Sequence, residues 1–213
     1  MSTPFAHRDD AGCQLAERLL ETVTDASIVL GVPRGGVPVA YQVARSLDLP
    51  LDVCVVRKLG APRQPELAIG AVGHDGARVL NADVIATLRL TPVEVDDITR
   101  AQIDEVTSRE AAFRAGRPPL DLAGQRVILV DDGAATGASL AIAVDVVRRA
   151  GGAAVVAAVP VASGHAHRLL NQVADTVVAV VVSEQFGSVG RFYRDFAQTT
   201  DAEVIDLLQR AAR

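Results

Sequence analysis

The sequence predicts an α/β fold with a central, mostly parallel sheet, helices on both faces and a small appendage. Short runs rich in Val, Ile and Leu recur without the alternation of a half-exposed strand, which is typical of strands buried on both faces. Segments with helical periodicity separate these runs, and this alternation favours a parallel sheet. A length of 213 residues suffices for one sizeable core, so we expect a single domain over residues 1–213.

An initial helix and a strand–helix–strand unit account for the first part of the chain. Apolar residues at helical spacing predict a helix over residues 9–20. A short apolar strand follows at 27–32, and its glycine-rich turn leads into a helix over 37–47 and a second strand over 51–57. Parallel strands need a crossover connection, so this order predicts a βαβ unit.

The next segment predicts the appendage. Residues 58–66 combine Gly, Pro and charged residues without periodicity, and we expect them to form a loop. The segments 67–72 and 77–80 flank a glycine-containing turn and predict a short hairpin. A short helix is expected at 82–88.

A longer helix begins after Thr91. Thr91 and Glu94 have the spacing of a capping box, and Pro92 occupies the first helical position, where proline is favoured. The periodicity continues to about residue 115, and Gly116 ends it.

Strands and helices alternate through the rest of the chain. The predicted elements are, in order, a strand at 126–130, a helix at 138–150, a strand at 154–161, a helix at 164–173, a strand at 176–182 and a closing helix to about residue 212. Thr200 and Glu203 form a second capping box before that last helix.

Composition excludes several classes of function. The net charge of -5 argues against a general nucleic-acid binder, because phosphate backbones attract an excess of Lys and Arg. Cys13 and Cys54 have no metal-binding or redox spacing, so we expect two buried, reduced thiols. The N-terminus lacks an apolar signal core and no run is long enough to span a bilayer, which predicts a cytoplasmic protein without membrane contact.

One segment has the composition of a phosphate and sugar site. The buried strand at 126–130 ends in Asp131 and Asp132, and small residues, Thr136 and Gly137 then open a helix. Small side chains let backbone N–H groups approach a phosphate, and the helix N-terminus adds partial positive charge. Ionised carboxylates accept hydrogen bonds, as a sugar diol requires. Two acids alone would fit an ordinary polar turn, but the complete pattern favours a ligand site.

This pattern resembles the substrate-binding motif of type I phosphoribosyltransferases, which use phosphoribosyl pyrophosphate. Four hydrophobic residues, two acids, three variable residues and Thr-Gly carry the resemblance. It implies that Asp131 and Asp132 bind the ribose hydroxyls. It also implies a 5-phosphate site formed by Gly133, Ala134, Ala135, Thr136, Gly137 and Ala138. Mg²⁺ would be bound mainly through the substrate diphosphate, with no direct protein ligand.

The turn after the first strand resembles the pyrophosphate loop of the same family. That loop contains a non-proline cis peptide in the family, and the resemblance of Gly-Val-Pro-Arg-Gly-Gly at 31–36 implies its counterpart at Pro33–Arg34. Gly35 and Gly36 would offer backbone donors, and Arg34 a charge-assisted contact to the diphosphate. By itself, this segment also fits an ordinary glycine turn before a helix.

A basic pair ends the second predicted strand. Arg57 and Lys58 resemble the family's basic pair, which faces the pyrophosphate ahead of a mobile loop, here about residues 59–67. Glu66 is the candidate for the loop glutamate implicated in the adenine-using branch, and Arg63 lies in the same loop. The pair also fits a solvated strand end.

The C-terminal region of about residues 183–213 is expected to form a hood or tail. Only 3% of the chain is aromatic, yet Phe186, Phe192, Tyr193 and Phe196 cluster here. In purine-salvage members of the family a comparable tail stacks on the base, which would make Phe186 the stacking ring. Packing of these rings in the core is the alternative.

The resemblance covers most of the chain and is greatest to poorly characterised bacterial phosphoribosyltransferase-domain proteins, which share Pro-Arg-Gly-Gly-Val-Pro-Val-Ala and Arg-Lys-Leu-Gly-Ala-Pro. It implies a nucleobase-salvage enzyme that transfers ribose 5-phosphate to a nitrogenous base, and a homodimer by family habit. Ala135 replaces the acid of the 6-oxopurine branch, which favours the adenine-using branch. The alternative is a non-catalytic regulator that senses a nucleotide or phosphoribosyl pyrophosphate.

Overall fold

The structure is a computed structural model. It describes residues 4–23, 25–62, 64–73 and 76–212, and of Pro65 and Glu66 it describes the backbone alone. The elements are, in chain order, α1 (Arg8–Thr22), β1 (Ile28–Gly31), α2 (Gly36–Leu47), β2 (Leu51–Val53), β3 (Arg57–Ala61), β4 (Gln64–Val72), β5 (Arg78–Leu80), α3 (Ala82–Thr87), α4 (Pro92–Arg114), β6 (Arg126–Val130), α5 (Ala138–Arg149), β7 (Ala154–Ser163), α6 (Gly164–Val173), β8 (Thr176–Ser183), a short 3₁₀ helix (Val189–Phe192) and α7 (Asp201–Ala211).

Five strands form the central sheet in the order β2-β1-β6-β7-β8. All four neighbouring pairs are parallel, which confirms the predicted fold class. The chain first moves outward from β1 to β2 and later returns to place β6 on the other side of β1. The order therefore reverses between β1 and β6, and the carboxyl ends of these two strands border the crevice in which such sheets bind ligands.

Apolar residues of β6 alternate between the two faces of the sheet. Ile128 and Val130 pack with side chains of α1, α2 and α7, whereas Val127 and Leu129 pack with side chains of α5 and α6. All four are fully buried. Burial on both faces explains why the strand reads as a continuous hydrophobic run.

The appendage is a three-stranded antiparallel sheet in the order β3-β4-β5. The hairpin predicted from residues 67–72 and 77–80 is confirmed. The prediction of a loop over 58–66 is wrong, because strands β3 and β4 pair through most of this segment. The register shifts on both sides of Gly60, so the short alternation of buried Leu59 and Ala61 is hard to recognise in the sequence. Closure of the segment over a ligand stays a prediction, and Arg63 lies outside the described residues.

The second predicted strand is divided between the two sheets. β2 in the central sheet ends at Val53, and β3 in the appendage begins at Arg57. Asp52 of β2 is buried and accepts from Nε of Arg114 at the end of α4, with an Nε–Oδ2 distance of 2.9 Å. This bond anchors the segment 57–114 to the edge of the central sheet.

Both predicted capping boxes are present, at Thr91–Glu94 and at Thr200–Glu203. Each threonine hydroxyl accepts from the glutamate amide, and each glutamate accepts from the threonine amide. Among the described helices, none combines the length and the apolar composition needed to cross a membrane. The expected burial of the two cysteines is confirmed for Cys54 and wrong for Cys13, which is exposed on α1. The cytoplasmic location, the single-domain organisation and the role of residues 183–213 as a hood stay predictions.

Candidate functional site

The loop after β1 and the loop after β6 form one site. Gly31 and Val130 are partners in the parallel ladder, and Val32 N–H donates to the carbonyl oxygen of Val130 at 2.8 Å. A Cβ atom on Gly36 would lie 2.6 Å from that oxygen, so only glycine fits this close approach. The expected cis peptide between Pro33 and Arg34 is present. Of the two glycine N–H groups expected to be open, that of Gly36 donates to the carbonyl oxygen of Val32 at 3.0 Å and is therefore already used.

The two glycines before α2 also border the acid pair. A Cβ atom on Gly35 would collide with Oδ2 of Asp132, and one on Gly36 would lie 2.8 Å from Cα of Asp131. The segments that were separately assigned to the diphosphate and to the ribose are therefore in contact.

Residues 133–137 form a nest of open backbone donors at the start of α5. Ala134 fixes the nest against β7, because its N–H donates to Val161 O at 2.8 Å and its carbonyl oxygen accepts from Ser163 N–H at 2.9 Å. Ser163, which sequence reasoning did not identify, also donates its hydroxyl to Ala135 O at 2.6 Å. Gly137 has a φ of 77°, which turns the chain into the helix.

The donors of this nest point away from internal partners. Within the part of the chain that the structure describes, the backbone N–H groups of Gly133, Ala135, Thr136 and Gly137 donate no hydrogen bond. Ala135, Thr136 and Ala138 are exposed. Successive open N–H groups at a helix N-terminus form an anion-binding site, so the geometry suits a phosphate.

The carboxyl groups of the acid pair are unlike exposed aspartates. Asp131 Oδ1 accepts from the backbone N–H of Asp132 at 2.8 Å. Burial, and secondly the neighbouring Asp132 charge, raise the pKa of Asp131 well above its ordinary value. Burial also raises the pKa of Asp132, although the Arg8 guanidinium opposes that shift. Perturbed carboxylates at the mouth of a sheet crevice are typical of functional sites.

Arg8 is a second residue of the site that sequence reasoning did not identify. Its Nε lies 2.9 Å and its Nη2 2.8 Å from Oδ2 of Asp132. Its Nη1 donates to Ala197 O at 2.6 Å, and the guanidinium lies 4.0 Å above the ring of Phe196. Tyr193 donates its hydroxyl to the carbonyl oxygen of Asp132 at 2.5 Å. Helix α1 and the C-terminal tail therefore hold Asp132 from two sides.

The predicted basic residues occupy different places. Nη1 of Arg34 lies 3.6 Å from Oδ1 of Asp201 at the start of α7. Arg57 pairs with Glu105 on α4. Lys58 is exposed, and it projects from the opposite face of β3 because neighbouring strand residues alternate. Arg57 and Lys58 consequently do not face one point together, and their contact with a diphosphate stays a prediction.

Two further candidates are less well placed for a base. The backbone of Glu66 belongs to β4, but its side chain lies outside the described residues. Phe186 is only 8% exposed and stacks on Phe192 with ring centroids 5.2 Å apart. This contact favours the packing alternative for Phe186, and its stacking on a base stays a prediction.

Comparison with known proteins gives consistent matches over this chain. Residues 9–196 match the family described as the phosphoribosyl transferase domain. Two proteins from Mycobacterium tuberculosis strains CDC 1551 / Oshkosh and H37Rv, each provisionally named a phosphoribosyl transferase, are 48% identical over 209 residues. These matches cover 98% of this chain and 47% of each relative, so the chain spans about half the length of these curated relatives.

Solved structures agree on the fold. The crystal structure of TT1426 from Thermus thermophilus is 43% identical, with a TM-score of 0.86 over 97% of this chain and 98% of that chain. A hypothetical protein from Neisseria gonorrhoeae, crystallised with bound ppGpp, has a TM-score of 0.50 at 12% identity over 100% of this chain and 99% of its own. The latter likeness concerns the fold alone.

Proposed function

The chain belongs to the phosphoribosyl transferase domain family, and from this premise we propose that it transfers ribose 5-phosphate from phosphoribosyl pyrophosphate to a nitrogenous base. One observation carries the proposal: an acid pair and a nest of open amides meet at the carboxyl ends of β1 and β6. Those groups are complementary to a sugar diol and a phosphate, respectively.

The 5-phosphate is proposed to bind the nest at residues 133–137, with Ala138 beside it. Four amides without internal partners can donate to its oxygens, and the hydroxyl of Thr136 lies beside them. Hydrogen bonds to charged groups contribute roughly 1.5–3 kcal/mol each. Even two such bonds would fix the phosphate firmly enough to orient the rest of the substrate.

The ribose hydroxyls are proposed to donate to Asp131 and Asp132. An ionised carboxylate accepts a hydroxyl donor more strongly than a protonated one, so the raised pKa of both acids makes binding sensitive to pH. Arg8 favours the charged form of both acids.

The diphosphate is proposed to lie over the loop that contains Arg34, Gly35 and Gly36, with Arg57 and Lys58 as further cations. In the reaction, the acceptor nitrogen forms a bond to the anomeric carbon while the bond from that carbon to the diphosphate oxygen breaks. The diphosphate leaves with the electron pair, and the base loses a proton, for which Glu66 is the candidate acceptor. Positive charge at the leaving group therefore stabilises the transition state.

Mg²⁺ is part of the proposal as a companion of the diphosphate. The donor set fits a metal held largely by substrate, because Asp132 already accepts two donors from Arg8 on one oxygen and Asp131 accepts a backbone amide. When bound, the ion would neutralise charge on the leaving diphosphate. The cytoplasmic location and the homodimer are likewise proposals.

A regulator on the same fold is the alternative function. One observation favours it: Phe186 is packed against Phe192 inside the protein, where it would not stack on a base. A protein that only senses a nucleotide or phosphoribosyl pyrophosphate would keep the nest and the acid pair but would need no group to handle the proton of a base.

A panel of acceptors tests the proposed reaction. The protein is incubated with phosphoribosyl pyrophosphate, Mg²⁺ and one of adenine, guanine, hypoxanthine, uracil or orotate, and pyrophosphate release is measured. We expect release with one base, adenine being favoured by Ala135. Calorimetric binding of phosphoribosyl pyrophosphate or of a nucleoside monophosphate without turnover of any base would support the regulator. Absence of turnover and of binding of either ligand would reject both functions.

A further inference from the structure

Charged side chains form a line from β3 to the loop after β1. Arg57 of β3 pairs with Glu105 of α4, and Arg109 lies one turn further along the same helix face. Nη2 of Arg109 is 3.9 Å from Oδ1 of Asp201, and the same oxygen is 3.6 Å from Nη1 of Arg34. Arg109 thus stands between the two arginines that the proposed function assigns to the diphosphate.

The guanidinium groups at one end of this line have donors to spare. Distances of 3.6 and 3.9 Å are those of ion pairs and are too long for hydrogen bonds. Among the described residues, neither Arg34 nor Arg109 has a side-chain hydrogen bond, and each is about one third exposed. The Arg109 guanidinium also lies 5.6 Å from the centre of the Phe113 ring, which restricts where it can turn.

The charges along the line do not balance. The three arginines face two carboxylates, Glu105 and Asp201, which leaves one net positive charge along the line. Asp201 is 60% exposed, so its ion pairs contribute little and can be exchanged for contacts with a more highly charged anion. A diphosphate could offer a separate oxygen to each of Arg34 and Arg109, which share Oδ1 of Asp201 in the free protein.

We propose that Arg109 is a third diphosphate-binding cation, which α4 places between Arg57 and Arg34 and which Asp201 neutralises in the free protein. This inference rests on the proposed function, because the diphosphate is that of phosphoribosyl pyrophosphate. It assigns a binding role to a helix outside the segments that resemble the family's motifs. Asp201 is then a competitor of the ligand and not a structural partner that binding requires.

Calorimetry with three ligands tests the assignment. Phosphoribosyl pyrophosphate, pyrophosphate and ribose 5-phosphate, each with Mg²⁺, are titrated into the full chain and into Arg109→Gln. Loss of one charge-assisted contact should weaken the first two by about 10- to 100-fold and leave ribose 5-phosphate within about twofold. The matched control is Arg100→Gln on the same helix, whose exposed side chain pairs with Asp97 at 3.5 Å and should affect none of the three.

Asp201→Asn separates ligand binding from a structural role. If Asp201 competes with the ligand, its removal should tighten pyrophosphate binding or leave it unchanged. If Arg109 merely fastens α7 through Asp201, both substitutions should weaken binding alike, and that result would overturn the assignment. Unaltered pyrophosphate affinity in Arg109→Gln, or equal weakening of all three ligands, would also overturn it while the proposed function stands. If the unsubstituted chain binds neither phosphoribosyl pyrophosphate nor ribose 5-phosphate, the proposed function and the role of Arg109 are both rejected.

Discussion

Replacing Arg8 with methionine should destabilise the protein far more than an ordinary surface substitution would. The side chains of Arg8 and Asp132 are only 12% and 16% exposed, and two guanidinium nitrogens lie within 2.9 Å of one carboxylate oxygen. Methionine preserves most of the aliphatic contact area but removes the charge. Asp132 would then be left withdrawn from water beside a second carboxylate, Asp131.

The magnitude follows from the burial of the pair. Removing one partner of a buried ion pair costs about 3–5 kcal/mol, because the remaining charge is uncompensated. The residual exposure of both side chains places this pair at the lower end, so we expect a loss of about 3 kcal/mol. For a chain of this size, that corresponds to a decrease in Tm of about 6–12 °C.

Urea unfolding, followed by far-UV circular dichroism, measures the effect. The matched control is Arg18→Met, which removes an arginine of the same helix from an exposed pair with Glu21 at 3.8 Å and should change stability by less than about 0.5 kcal/mol. Combining Arg8→Met with Asp132→Asn removes the uncompensated charge and should recover part of the loss. A decrease below about 1 kcal/mol for Arg8→Met, or no recovery in the double variant, would refute the reasoning.

Two more predictions concern the acid pair. The double substitution Asp131→Asn and Asp132→Asn should weaken phosphoribosyl pyrophosphate binding by about 100-fold or more, because two charge-assisted contacts are lost. The protein should stay folded, because Asp132→Asn keeps an acceptor oxygen for Arg8. Unchanged affinity in calorimetry would reject the ribose contacts. Because the folded-state pKa values of both acids lie above the ordinary 3.8, these two acids bind more protons in the folded chain than in the unfolded chain above pH 3.8. Their contribution to the free energy of unfolding should therefore fall as the pH rises from 3.8 to their folded-state pKa values. Over the same range, the affinity for the ligand should rise, because the acids become ionised. Urea unfolding at several pH values should show a flatter profile for Asp131→Asn, with a gain of about 0.5–2 kcal/mol at neutral pH; parallel profiles would contradict the electrostatic account.

Local patterns were sufficient to predict most of the fold. The buried strand β6, its acid pair and the nest that follows are contiguous, so their chemistry is readable in one segment. The appendage was harder, because the pairing of β3 with β4 is irregular on both sides of Gly60 and hides the alternation. The end of β7 was predicted two residues early, and those residues include Ser163, which supports both the nest and the start of α6.

Residues that meet only through the tertiary fold could not be predicted from such patterns. Arg8 is separated from Asp132 by 124 residues, and no spacing in the sequence relates the two. In the sequence, Asp201 is explained as an acid in the first turn of α7, where a negative charge favours the helix. Its position next to Arg34 follows only from the packing of α7 near α2. Arg109 likewise looks like an ordinary helix residue until α4 is placed against that packing.

The contacts around Asp132 influence the ionisation and the position of the acid pair. Burial opposes the ionisation of both carboxylates at the end of this strand, and the charge of Asp132 additionally opposes that of Asp131. This chain offsets that cost with Arg8 from the first helix and with a tail whose Tyr193 fixes the backbone of Asp132. Arg8 contacts that same tail through Ala197 and Phe196. In the proposed function, the motif supplies the carboxylates that accept from the ribose. Arg8 of α1 favours their charged form, and Tyr193 fixes the backbone of Asp132. A chain with the same motif but without such supports should then bind the sugar over a narrower range of pH.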